Sequence, residues 1–196
     1  MNKYFNLTIS SEIFELAKRV LSEEDIVAAN KLSEYFVQNE HMRLHAIEEL
    51  REYIGVRPKR PVYYLNFEIC RLPEETRDVV RYAGDFIDQL IKHCAHERGK
   101  YIFRFNAYRS SLGLNLKKLK GILPDSLIGI LKEFNDLIYV KAKHSWEVGD
   151  RPHLFSCKEA VFACFVIKKI AIQVEPFSIE GRWYLENKMY NYHAEK

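Results

Sequence analysis

The chain is poor in turn-forming residues, with 8 glycines and 6 prolines among 196 residues. So few breakers leave little room for the tight turns of an all-β fold and suit long helices instead. Cysteine is scarce as well. Its four residues, Cys70, Cys94, Cys157 and Cys164, include no Cys-x-x-Cys pair, which removes the usual thiol-redox and zinc-ribbon patterns. The longest apolar run, Ala160 to Ile167, falls well short of the roughly 20 residues a membrane span needs. Met1 to Ser10 mixes polar and aromatic residues, so no secretory leader is expected and a reducing cytoplasm is the expected location. No Gly-x-x-x-x-Gly-Lys-Ser/Thr, Gly-x-Gly-x-x-Gly or Gly-x-Ser-x-Gly occurs, so the common nucleotide-binding and hydrolase plans lack support. A formal net charge of +3 is too small to identify a polyanionic partner by itself.

What is present fits one globular domain over residues 1–196. Hydrophobic residues make up 47% and charged residues 29%, and 12 Tyr, 12 Phe and 2 Trp supply a sizeable core. Apolar spacing predicts a short helix from Ile13 to Leu21, with Ser10 or Ser11 as its cap, and a helical stretch from Ser22 to Ile54. The clearest helix opens at Pro73 and runs to about Arg98, with Val79, Val80, Ala83, Phe86, Ile87, Leu90, Ile91 and Cys94 on one broad face. Further helices are expected over Leu112–Leu123 and Ser126–Lys141. Ser156 and Glu159 form a capping-box pattern that opens an almost wholly apolar, and therefore central, helix. The expected fold is an all-α bundle of five to seven helices, with minor irregular or short β segments near 60–70 and 176–192.

Several residues carry chemistry in principle. His41 and His45, four apart with Glu48 and Glu49 a turn on, have a metal-pair spacing, but their polar surroundings read more simply as a solvated helix face. His93 and His96 read the same way, as boundary residues of the Pro73 helix, so no metal or cofactor is expected. Cys157 at a helix start would feel the positive end of the dipole, yet no catalytic signature surrounds it, and an ordinary first-turn cysteine is the plainer account. Basic clusters at Arg57, Lys59 and Arg60 and at Lys117, Lys118 and Lys120 suit either a solvated face or a nucleic-acid contact.

The densest polar cluster lies between Asn135 and Trp146. His144 and Tyr139 are its candidate catalytic residues, His144 as an acid–base group. Lys141, Lys143 and Asn135 are its candidate nucleic-acid contacts, with the lysines near a helix C-terminus placed to hold a phosphate. The plainer reading is C-terminal capping by basic residues.

Leu112 to Val174 resembles the C-terminal half of HEPN-type domains, small helical modules of prokaryotic defence and toxin systems. The pattern is a leucine-rich helix (Ser111 to Pro124), a Pro-initiated helix ending in a basic segment and His144, a polar loop, and a capped apolar helix (Ser156 to Val174). Ribonuclease members carry an arginine, a polar residue, any three residues and a histidine. Here His144 matches the histidine, while Tyr139 stands at the arginine and Val140 at the polar position. An arginine there would stabilise a phosphate transition state, which a tyrosine cannot do by charge. The resemblance thus implies a helical module without catalysis that dimerises or binds a protein partner. The alternative is an RNA binder or metal-independent ribonuclease using His144 and its lysines. A membrane partner is not expected.

Overall fold

The computed structural model describes residues 6–38, 73–99, 106–143 and 153–177. His41, His45, Cys70, the cluster Arg57, Lys59 and Arg60, the β expectations over 60–70 and 178–192, and His144 with Trp146 lie outside the described residues. Within them the fold is an all-α bundle without a β-strand, as the scarcity of breakers requires. No helix among the described residues is long and apolar enough to cross a membrane.

Helices α1 (Ser11–Val20), α2 (Glu23–Gln38) and α3 (Pro73–Gly99) come first. They are followed by α4 (Leu112–Lys118), α5 (Asp125–Phe134), α6 (Val140–Lys143) and α7 (Cys157–Val174). A π-helical turn over Asn135–Tyr139 joins α5 to α6. The predicted helix over Leu112–Leu123 stops early, at Lys118, because the chain turns through Gly121 at φ 76°, a left-handed conformation that glycine adopts without a Cβ clash. Leu112, Leu116, Leu119 and Leu123 are nonetheless all buried, so the leucine pattern records burial rather than helix length.

α7 is the central element. Its residues from Ala160 to Ile167 are all buried, and α1, α2 and α3 pack around it. Side-chain bonds fix these helices at their ends. Thr76 Oγ1 near the start of α3 donates to the Phe155 carbonyl at 2.7 Å, and Cys94 Sγ approaches the Phe177 carbonyl at 3.5 Å, so α3 and α7 run in the same direction. α2 opens with a second capping box: Ser22 N–H donates to Asp25 Oδ2 at 3.1 Å and Asp25 N–H to Ser22 Oγ at 3.2 Å. Lys169 Nζ, near the end of α7, lies 2.8 Å from Asp25 Oδ2, which sets α2 antiparallel to α7.

The Ser156 box forms as the sequence predicts, and it reaches further. Glu159 Oε2 accepts from Ser156 N–H at 3.0 Å, while Oε1 accepts from Ser10 N–H at 3.1 Å. The Ser156 hydroxyl donates to the Thr8 carbonyl. Ser10 occupies the N-cap of α1 as expected, but its side chain makes no capping bond; the carboxylate of a residue 149 positions away takes the backbone donor there. Glu159→Ala is therefore expected to destabilise by about 1–3 kcal/mol, because it leaves two poorly solvated backbone donors without an acceptor. Urea unfolding reads this directly, and a change below about 0.5 kcal/mol would show that water replaces the carboxylate at both donors.

Candidate functional site

The π turn gives the region its geometry. A π turn inserts one residue more than an α-helix allows, which rotates the following side chains. Here it swings Tyr139 under the bundle, where the residue is 2% exposed against α3. The ring stacks with Phe134 at 6.4 Å between centroids. It also lies over Gly84: a Cβ built on that glycine would stand 2.3 Å from Tyr139 Cδ2. Sequence reading passed over Gly84, although a lone glycine inside a 27-residue helix is itself a sign of close approach.

The Tyr139 hydroxyl donates to Asp85 Oδ1 at 2.6 Å, with Asp88 Oδ2 3.4 Å away, and accepts from Lys143 Nζ at 3.1 Å. Lys143 lies 5.0 Å from the centre of the same ring, while Lys92 Nζ sits 2.7 Å from Asp88 Oδ2. Two carboxylates, two ammonium groups and a phenol thus interlock at the α3–α6 contact. Burial pushes the phenol pKa far up, and the Asp85 hydrogen bond and the Asp88 charge push it further the same way. The phenol keeps its proton through the whole physiological range, so it cannot serve as a base or a nucleophile there.

The remaining sequence candidates point elsewhere. Lys141 and Lys143 are two residues apart on a helix, and such residues do not share a face. Lys143 turns to α3, whereas the charge of Lys141 is felt by Glu12 on α1 and by His153 before α7. Asn135 Nδ2 donates to Asp136 Oδ1 at 2.8 Å at the protein surface. Asp136 in turn borders a shallow groove of about 640 Å³ between α1 and α5, floored by Gly129 and Leu137 and lined by Glu12, Glu15 and Glu133. The described candidates therefore do not converge: Tyr139 and Lys143 meet, while Asn135 and Lys141 lie on other faces.

His93 and His96 flank one exposed ring. Tyr108 Oη is 3.0 Å from His93 Nδ1, and its ring lies 4.9 Å from that of His96. Among the described residues no three His, Cys, Asp or Glu side chains gather as a metal-binding group. Cys157 is completely buried. Cys164 is buried too, and burial pushes its thiol pKa up to about 12, where it stays protonated and unreactive.

One histidine escaped notice in the sequence. His153 packs edge-on against Phe155, 4.5 Å between ring centres, and its Nε2 is buried without a hydrogen-bond partner. Burial lowers its pKa below the ordinary 6.5; Lys141 lowers it further, and Glu159 partly offsets both. The folded chain thus holds the ring neutral, while the unfolded chain takes up a proton once the pH falls below 6.5. Stability present above that pH is lost as pH drops toward the folded value. Urea midpoints taken from pH 7.5 down to 5 should show this loss, and His153→Phe should flatten that part of the profile; an unchanged profile would mean other groups set the acid limb.

No protein-family model, no curated protein and no solved structure matches this chain.

Proposed function

We propose that the chain is a non-catalytic helical module of HEPN-like plan that acts through contact with a protein partner or a second copy of itself. The observation that carries this reading is the commitment of Tyr139. At the position where a ribonuclease of that plan would present an arginine to phosphate, this chain places a phenol under α3, bonded to Asp85 and covered by Lys143. The two ammonium groups of the cluster are engaged as well, Lys92 by Asp88 and Lys143 by the Tyr139 hydroxyl, so neither is presented to a phosphodiester. Asn135 Nδ2 donates to the Asp136 carboxylate, which borders the α1–α5 groove and disfavours a phosphate beside it.

The test is RNA cleavage and binding by the purified protein at low and high salt, beside a His144→Ala variant, with solution mass measured by light scattering. The reading expects no His144-dependent cleavage and no salt-sensitive RNA binding, with the module either self-associating or retaining a specific protein partner. Salt-sensitive cleavage that disappears in His144→Ala would overturn it in favour of a ribonuclease with a rearranged site.

A further inference from the structure

His93 and His96, one turn apart on α3, share a face of that helix. A 3₁₀ turn over Ala107–Arg109 packs against α3, and hydrogen bonds on both sides fix it. Asn106 Oδ1 accepts from the Tyr108 and Arg109 N–H groups at 3.1 and 3.3 Å, and the Ser110 hydroxyl donates to the Asn106 carbonyl at 2.7 Å. The buried Asn115 amide donates to the Ala107 carbonyl at 3.0 Å. Tyr108 is thereby delivered to the two imidazoles. Its Oη stands 3.0 Å from His93 Nδ1, and its ring lies 5.5 Å from that of His93 and 4.9 Å from that of His96. The group stays open to water, with Tyr108 41% exposed and both histidines half-buried.

The separation of the two facing atoms has a chemical meaning. Two donors bound to one transition metal at angles between square and tetrahedral stand about 2.8–3.4 Å apart. The 3.0 Å between Tyr108 Oη and His93 Nδ1 lies inside that range, so an ion can take the place of the bridging proton without either group moving far. With the ring protonated at Nε2, Nδ1 turns its lone pair toward the phenol oxygen. His96 brings a second imidazole against the same ring. The phenol supplies the third donor, which no described carboxylate, thiolate or imidazole provides there. Of the cations nearby, Lys92 is held by Asp88 at 2.7 Å, and Arg109 is exposed, where water and salt screen its charge.

We propose that His93, His96 and Tyr108 form a binding site for a late first-row divalent cation, copper(II) most tightly and zinc next. Imidazole and phenolate donors suit these ions, whereas magnesium and calcium prefer sites made of carboxylates, carbonyls and water. The phenol gives up its proton to solvent as it coordinates, so binding is proton-coupled. Water fills the remaining positions, because the group faces solvent. The ion would clip the Ala107–Arg109 turn to α3. This site lies apart from the Tyr139 cluster and does not depend on the non-catalytic reading of the module.

Titration of the full chain, first stripped of metal with a chelator, tests it. Copper(II) is expected to produce a phenolate-to-copper charge-transfer band in the visible spectrum. Tyr108→Phe, which keeps the ring and its packing, should lose that band. His93→Gln and His96→Gln should each weaken copper binding by more than about tenfold, since losing a ligand costs at least as much as losing an outer-shell partner. Zinc should raise Tm by an amount that grows with the logarithm of its concentration, as binding to the folded state requires, and should do less in each variant. Magnesium should leave Tm unchanged. Circular dichroism of the metal-free variants checks that they fold as the parent does. No visible band in the parent, a band that persists in Tyr108→Phe, or undiminished copper affinity in either histidine variant would each overturn the proposal, the last by placing the ion on other histidines of the chain.

Discussion

Gly84→Ala is expected to destabilise the protein by about 1–3 kcal/mol, although alanine is the better helix former. The added methyl would stand 2.3 Å from Tyr139 Cδ2 and 3.0 Å from Cε2. The ring has little freedom to retreat. Phe134 stacks against it, and Asp85 and Lys143 hold its hydroxyl. Relief requires α6 to move away from α3, or the ring to leave its site and break the bond to Asp85. Context reverses the sign. In a Tyr139→Ala background the clash is gone, so Gly84→Ala should stabilise by about 0.5–1 kcal/mol through reduced backbone entropy in the unfolded chain. A urea-based double-mutant cycle reads both values. If the two backgrounds gave the same cost, the contact between Gly84 and Tyr139 would not be what holds α6 to α3.

The second large effect belongs to α7. Phe162 is completely buried, with its ring 5.9 Å from that of Phe14. Phe162→Ala removes most of a large side chain from a site enclosed by packed helices, and should cost about 3–5 kcal/mol. That is a large share of the stability of an ordinary domain. Ile172, on the same helix but 51% exposed, should tolerate alanine within about 0.5 kcal/mol. Thermal and urea unfolding of the two variants side by side would show whether α7 is the central element. Similar losses in both would mean that its surroundings collapse around the missing ring.

Much of the fold was legible because local rules and tertiary packing agree. Pro73 starts α3 and Gly99 ends it, as expected from a residue tolerated in a first turn and one that destabilises helix interiors. Ser156 and Glu159 form the capping box read from their spacing. The apolar sequence of α7 could only be accommodated by burial on all sides. What stayed hidden were features that depend on a distant partner. The helix over Ser126–Lys141 was visible, but its π turn was not, since nothing local marks one inserted residue. Nothing in the sequence marks Asp25, Glu159 and Lys169 as joining distant segments, yet Asp25 and Glu159 are buried, Asp25 against Lys169 and Glu159 against the Ser10 N–H.

The candidate site shows the same division. Asn135, Tyr139, Lys141 and Lys143 could be listed together because they are neighbours in sequence. Proximity along a helix says nothing about shared direction, and the extra residue of the π turn decides where each one faces. Tyr139 and Lys143 go to Asp85 on α3, Lys141 goes toward α1 and His153, and Asn135 stays at the surface. The sequence alone determined an all-α chain, the ends of its clearest helices and the apolar character of its central one, because these follow from backbone propensities and from hydrophobic periodicity. Only the tertiary structure decided which polar groups meet, that Gly84 leaves room for Tyr139, and that Arg77 Nε and His153 Nε2 are buried without a hydrogen-bond partner, because those outcomes depend on which surfaces lose their water when distant helices pack.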